Sequence, residues 1–148
     1  MSFIGNFAAA QSASAIGKYN EAIFKQRADL QRAKTAQNKA IYDKLDRPRL
    51  VKQQDKNYDF LFVRALKTGA EIRSGESPYL ALLEAKVNQA TDLSIADFRS
   101  QQANFDGLNE SLLLESRAAG ERFKGDLTAI TETIKGFGSL LSTGYELS

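Results

Sequence analysis

The chain has 148 residues, and 43% of them are hydrophobic, a composition that argues against disorder and favours one folded domain. Its 20 basic residues nearly balance its 18 acidic ones, so the net charge is only +2. Cysteine and histidine are both absent, which excludes disulfides, thiolate metal ligands and histidine-based acid–base catalysis.

Helix-forming residues dominate the sequence, and strand formers never cluster in alternating runs. The chain has only 2 prolines, so long stretches contain nothing that breaks a helix. We therefore predict an all-α protein, folded as a single elongated helical domain over residues 1–148.

The first part of the chain divides into a small-residue segment and a long helix. Residues 1–17 are mostly small and mildly apolar, a composition that suits close helix packing and equally suits a frayed end. Residues 18–46 predict one helix, in which Tyr19, Leu30 and Ile41 recur every 11 residues, the spacing of a nearly straight seam. Because this stripe is narrow, we expect the helix to pack loosely or against copies of itself.

A second helix is predicted over residues 49–73, since Pro48 disfavours helix at the residue before it and suits a helix start. A tight helix–helix corner follows. Gly75 can adopt the left-handed conformation that ends a helix, while Ser77 and Pro78 suit the N-cap and first position of the next one.

The last part predicts a short helix over residues 78–90, a break at Thr91–Ser94 and a final helix over residues 94–141, followed by a tail over residues 142–148. The final helix carries the most regular apolar stripe of the chain, and its glycines mark places where it can kink. We predict that its packing and oligomerisation seam comprises Phe105, Leu112, Phe123, Leu127, Ile130, Ile134, Phe137 and Leu141.

The length of this final helix decides the predicted architecture. At 1.5 Å per residue it is about 70 Å long, whereas a compact globule of this size is about 40 Å across. We therefore expect an elongated bundle whose coiled-coil-like packing is completed by oligomerisation. The tail carries small and apolar residues, which suit docking on a partner or a membrane interface and equally suit a frayed helix end.

Charge is distributed unevenly along the chain. Residues 18–56 contain 11 basic and 5 acidic side chains, whereas residues 105–148 contain 4 basic and 7 acidic ones. A solvated helix face explains this asymmetry, and nucleic-acid binding is the alternative, with Lys25, Arg32 and Lys39 as candidate contacts. The interspersed carboxylates weaken the second interpretation, because they repel phosphates.

Motifs that carry chemistry are missing from the sequence. It contains no phosphate-binding or dinucleotide-binding glycine motif, no nucleophile elbow and no metal-ligand spacing. We therefore expect a protein that is not an enzyme, with no catalytic residue, no cofactor and no metal. No secretory signal or apolar run of about 18 residues is present either, so we expect synthesis in the cytoplasm.

The order of three short motifs carries a resemblance to a known family. Tyr19-Asn20 precedes the long polar helix, the corner reads SGESPYL over residues 74–80, and GSLLSTG ends the pattern at residues 138–144. Over residues 5–144 the chain resembles the small internal virion proteins, or ejection proteins, of tailed bacteriophages, chiefly short-tailed ones.

The resemblance implies a structural protein packed inside the capsid near the portal. Such a protein leaves with the genome and helps to form a conduit through the host cell envelope. The implied partners are copies of itself in a ring and the portal or other internal virion proteins, with the host membrane and, weakly, the genomic DNA as further candidates. The polar stretch at residues 26–38 suits a wet lumen better than a lipid face. A helical adaptor or scaffold that docks a portal, tail or nucleic-acid partner remains the alternative.

Overall fold

The computed structural model describes residues 3–67 and 77–146, with side chains over residues 5–67 and 78–138. Its elements are helix α1 (Phe3–Ile41), a π-helical turn (Tyr42–Asp46), helix α2 (Arg47–Lys67) and helix α3 (Ser77–Glu146). Every residue within these two ranges is helical, and α1 packs against α3. The predicted all-α class is confirmed, whereas the predicted oligomerisation stays a prediction.

Helix α1 begins well before the predicted start at residue 18. From Phe3 onward the small-residue segment is part of the first helix, because its alanines are strong helix formers and no proline interrupts them. Gly17, which separated the two predicted segments, lies inside α1 and against α3. The glycine therefore serves helix packing and does not mark a helix end.

The helix boundary predicted at Pro48 is right in position, since α2 begins at Arg47, but wrong in kind, because the backbone stays helical through it. It widens instead into the π turn, where the N–H of Arg47 donates to the carbonyl oxygen of Tyr42, five residues back. A proline inside a regular helix lacks its N–H and clashes with the carbonyl four residues earlier. One wider turn moves that carbonyl of Lys44 away, so the proline changes the hydrogen-bond pattern without ending the helix.

The predicted corner falls largely outside the described residues. Gly75 and the predicted helix end at residue 73 both lie there. Helix α3 begins at Ser77, one residue before the predicted start, and Pro78 stands in its first turn. In the first turn of a helix a backbone N–H has no acceptor within the helix, so the missing N–H of Pro78 costs no hydrogen bond there.

The break predicted at Thr91–Ser94 is also wrong, since α3 runs through it as one helix of 70 residues. The hydroxyl of Thr91 donates to the carbonyl oxygen of Val87 in the preceding turn, at 2.9 Å, and so is satisfied within the helix. Asp97, three residues after Ser94 and so placed to cap a helix that began there, binds instead side chains of another helical segment. The predicted helices over residues 78–90 and 94–141 are therefore one element, which also includes the tail as far as Glu146.

The chain divides into two compact units. Unit 1 comprises Met1–Ala33 and Gly107–Ser148, and unit 2 comprises residues 34–106. In unit 1 the side chain of Ser14 meets that of Asp126 and the side chain of Gln31 meets that of Glu110, so α1 and α3 run antiparallel. In unit 2, α2 lies beside the first part of α3. The single domain predicted from the sequence stays a prediction.

Candidate assembly surfaces

Small residues fill the contact between α1 and α3 in unit 1. No side chain larger than that of serine is buried anywhere in the described residues of this unit. The buried positions are Ala10, Gly17, Ala28, Gly107, Ser111, Ala118, Gly125 and Gly136. Small side chains let two helix backbones approach closely, so the contact depends on the absence of bulk rather than on large apolar groups.

The closeness of this contact is measured at a pair of facing glycines. A Cβ atom placed on Gly17 would lie 2.9 Å from the Cα of Gly125, and one placed on Gly125 would lie 2.8 Å from the Cα of Gly17. The same added atom on Gly125 would lie 3.0 Å from the carbonyl oxygen of Ala13. Carbon atoms in ordinary contact are about 3.5–4.0 Å apart, so neither position accepts a side chain without moving a backbone.

Polar side chains flank the small-residue contact. The carboxylate of Glu21 accepts hydrogen bonds from Lys25 at 2.7 Å and from Arg122 at 3.0 Å, and both bonds hold its pKa below the usual range. Asn20 donates to Glu121 across the two helices at 3.0 Å, while Arg32 lies 2.7 Å from Glu115. These pairs join residues distant in sequence, so they specify the alignment of α1 against α3.

The predicted seam lies on the side of α3 turned away from this contact. Ile134 is nine residues from Gly125, which places it about 180° around the helix. The exposed fraction ranges from 53% at Leu127 to 69% at Phe123, and Phe105, Leu112, Ile130, Ile134 and Phe137 fall between these values. The side chain of Leu141 lies outside the described residues. The described seam residues from Phe105 to Ile134 are therefore more than half exposed in the single chain.

Sequence reasoning missed which apolar face of α3 packs within the chain. We assigned packing to the large side chains, whereas the helix pair is built on small ones. A signal for this existed, because Ser111, Ala118 and Gly125 are spaced seven residues apart, as are Ala10 and Gly17. Residues seven apart lie on the same face of a helix after two turns. Helix α3 thus has a small-residue face that packs on α1 and, on the opposite side, the predicted seam, most of which is exposed.

The three predicted nucleic-acid contacts are each bound to a carboxylate. Lys25 lies 2.7 Å from Glu21, and Lys39 lies 2.6 Å from Asp43. Arg32 is paired with Glu115, as described above. A cation with a carboxylate partner must give it up to bind a phosphate, and exposed pairs of this kind contribute about 0–1 kcal/mol. The nucleic-acid contact at these three residues stays a prediction.

A polar cluster in unit 2 joins the π turn to α3. Asp97 accepts hydrogen bonds from the hydroxyl of Tyr42 at 2.7 Å and from Nε and Nη2 of Arg47 at 2.9 and 3.3 Å. Burial, with Asp97 beside it, raises the pKa of Tyr42 to about 12, and the bond from Arg47 holds the pKa of Asp97 below its usual range. Both groups thus keep one protonation state near neutral pH, so the cluster suits a structural clamp better than acid–base chemistry.

No group of three or more carboxylate, histidine or cysteine side chains within residues 5–67 and 78–138 is placed to hold a metal ion. None of the helices, over their described residues, combines the length and the apolar character that crossing a bilayer requires.

Comparisons with protein-family models, with curated proteins and with solved structures found no match to this chain. Its functional interpretation therefore rests on its own residues and on the resemblance described above.

Proposed function

We propose that this chain is a structural component of a phage virion, an internal or ejection protein that lies near the portal and is released with the genome. It would then help to form a conduit through the host cell envelope. The resemblance over residues 5–144 supports this setting. The observation that carries the assembly role is the exposed part of the seam on α3, from Phe105 to Ile134, because a row of large apolar side chains that are more than half exposed favours a partner that covers them.

The spacing of the seam favours another helix as that partner. Phe123, Leu127, Ile130, Ile134 and Phe137 follow one another at intervals of four, three, four and three residues, the pattern of a coiled coil. The first four are each more than half exposed, so covering one would contribute about 1–2 kcal/mol, or about 4–8 kcal/mol over the four. A contact between two copies covers both seams, which doubles this gain before the entropic cost of association is subtracted. Micromolar association requires about 8 kcal/mol net.

The side chains beside the seam do not oppose such a contact. The hydroxyls of Thr131 and Thr133 donate to carbonyl oxygens four residues back, at 2.9 and 2.8 Å. Glu132, paired with Lys135 at 2.7 Å, is seven residues from Gly125 and so lies on the α1 side of α3, away from the seam. No uncompensated charge from these four residues would be brought between two approaching copies. The proposed partners are therefore other copies in a ring, together with the portal or other internal virion proteins.

Replacing a seam residue by a charged one tests the assembly role. Ile134→Glu should abolish self-association measured by light scattering over a range of concentrations, because it places a carboxylate inside the proposed contact. Thr128→Glu, on the same helix but outside the seam, is the matched control. The far-ultraviolet circular dichroism of both variants should match the wild type, since neither side chain is buried. A wild-type chain that stays monomeric at tens of micromolar, or an Ile134→Glu variant that still assembles, would contradict the proposal.

The virion setting is tested separately. Mass spectrometry of purified particles that carry the gene for this chain should find the protein before genome release and a reduced amount afterwards. Its absence from full particles would remove the virion role while leaving the assembly role intact.

The second candidate function is a helical adaptor that docks a nucleic acid or a larger protein. A row of basic side chains on α2, none of which is paired with a residue that the structure describes, favours it specifically.

A further inference from the structure

Five basic side chains form one exposed face of α2, which we call the cationic face. All are exposed, and none forms an ion pair or a hydrogen bond with any residue that the structure describes. At 100° per residue they fall within an arc of about 120°, and the row is about 27 Å long. The members of the cationic face are Arg49, Lys52, Lys56, Arg64 and Lys67.

The opposite side of α2 faces the first part of α3, so the cationic face points away from it. The side-chain amide of Gln54 donates to the carbonyl oxygen of Gln89 at 3.3 Å, and that of Gln89 donates to the carbonyl oxygen of Gln54. The ammonium of Lys86 lies 4.1 Å from the ring centre of Tyr58. These contacts fix the rotation of α2 and keep its cations in solvent.

The acidic residues of α2 lie to one side of the cationic face. Asp59 is about 80° and Asp55 about 120° from its centre. Neither forms an ion pair of 4.0 Å or less with Lys52 or Lys56, although both lie within reach on the same helix. Among the described residues, the cations of this face therefore form no ion pair, although the two carboxylates lower its net positive charge. In lacking ion pairs they differ from Lys25, Arg32 and Lys39.

An aromatic ring stands in the middle of these cations. Phe60 is 67% exposed, and it lies four residues from Lys56 on one side and four residues from Arg64 on the other. Residues four apart are neighbours on a helix surface, so the ring is bracketed by two positive charges. Cations that hold a phosphate backbone, with an aromatic ring on which a base can stack, are the arrangement that binds single-stranded nucleic acids.

We propose that the cationic face of α2 binds a single-stranded nucleic acid, with phosphates on the basic side chains and a base stacked on Phe60. A duplex would offer its phosphates but keep its bases away from the ring. An anionic membrane surface fits less well. A helix that lies on a membrane presents a wide apolar face, whereas Phe60 and Val63 are the only large apolar residues among these cations. This inference stands apart from the proposed assembly role and survives its failure.

Binding of a fluorescein-labelled oligothymidylate of about 15 nucleotides, followed by anisotropy, tests the proposal. The wild-type chain should bind it with an affinity that falls as salt rises. The triple variant Lys52→Gln/Lys56→Gln/Arg64→Gln should reduce the slope of log affinity against log salt by about 2, since each lost phosphate contact lowers it by about 0.7. Phe60→Ala should weaken binding about tenfold at unchanged salt slope, because it removes stacking and no charge.

The matched control removes the same charge elsewhere. Lys25→Gln/Arg32→Gln/Lys39→Gln should leave the affinity within about twofold, because those cations already have carboxylate partners. An equal loss in this control would overturn the proposal. It would also be overturned by absent binding, by Phe60→Ala without effect, by tighter binding to the matching duplex, or by binding only to phosphatidylglycerol vesicles. Circular dichroism identifies a variant that fails to fold. In that case the salt dependence of the wild-type affinity and its preference for single strands over duplex test the proposal without that variant.

Discussion

Replacing Gly125 by alanine adds one methyl group where the backbones of α1 and α3 touch. The new carbon would lie 2.8 Å from the Cα of Gly17, so the helices must separate by roughly 0.7–1.2 Å to restore an ordinary contact. Such overpacking costs about 1–3 kcal/mol. Alanine is a better helix former than glycine by about 1 kcal/mol, which offsets part of this. The expected net change is a loss of up to about 2 kcal/mol in the free energy of unfolding.

Gly120 supplies the matched control five residues earlier in the same helix. A Cβ atom there meets nothing within 4 Å, so Gly120→Ala should stabilise the protein by up to about 1 kcal/mol. Urea unfolding followed by circular dichroism, at one low protein concentration, measures both variants. If Gly125→Ala stabilises the chain as much as Gly120→Ala, the close backbone contact does not exist in solution. The double variant Gly17→Ala/Gly125→Ala should lose less than the sum of the single variants, since the first methyl group already separates the helices.

Three further outcomes are expected. Ala118→Leu should destabilise the chain by about 1–3 kcal/mol in urea unfolding, because Ala118 is 0% exposed, whereas Ala119→Leu on the adjacent exposed position should change little. The pKa of Tyr42 is raised from 10.0 to about 12, so its contribution is complete below pH 10 and is lost as the pH rises towards 12. Tyr42→Phe should therefore flatten the decline of stability with pH in that window, measured by thermal unfolding. Pro48→Ala should change the free energy of unfolding by less than about 1 kcal/mol in urea unfolding, since the π turn already relieves the ring clash and the restored backbone donor is offset by the larger entropy of the unfolded chain.

The all-helical class could be predicted from the sequence because composition determines it, but the helix ends could not. Each predicted break rested on residues with a good capping or terminating propensity. At Thr91 the hydroxyl found a partner in its own helix, and at Pro48 the backbone adopted a π turn. Tertiary contacts with Asp97 hold that turn, and a local sequence window does not contain them.

The outward seam could be identified from the sequence as a set of residues, but its orientation could not. A hydrophobic stripe indicates which residues share a face, and it does not say whether that face meets the same chain or another. The spacing of Ala10, Gly17 and Ala118 held the missing information, but small residues contribute little to an apolar pattern. The ion pair between Lys25 and Glu21 could be predicted from the sequence, because residues four apart are neighbours on a helix surface. The pairing of Arg32 with Glu115 needed the fold.

The regular spacing of small residues has a consequence for how α1 and α3 stay aligned. A shift of α3 by seven residues, about 10.5 Å, would place Ala118 opposite Gly17 and preserve a close helix contact. That alignment would press the methyl group of Ala118 onto Gly17, an overpacking that costs about 1–3 kcal/mol. The ion pair between Glu21 and Arg122 also meets only in the observed alignment. One absent methyl group and the charges across the two helices thus fix the length over which the helices overlap.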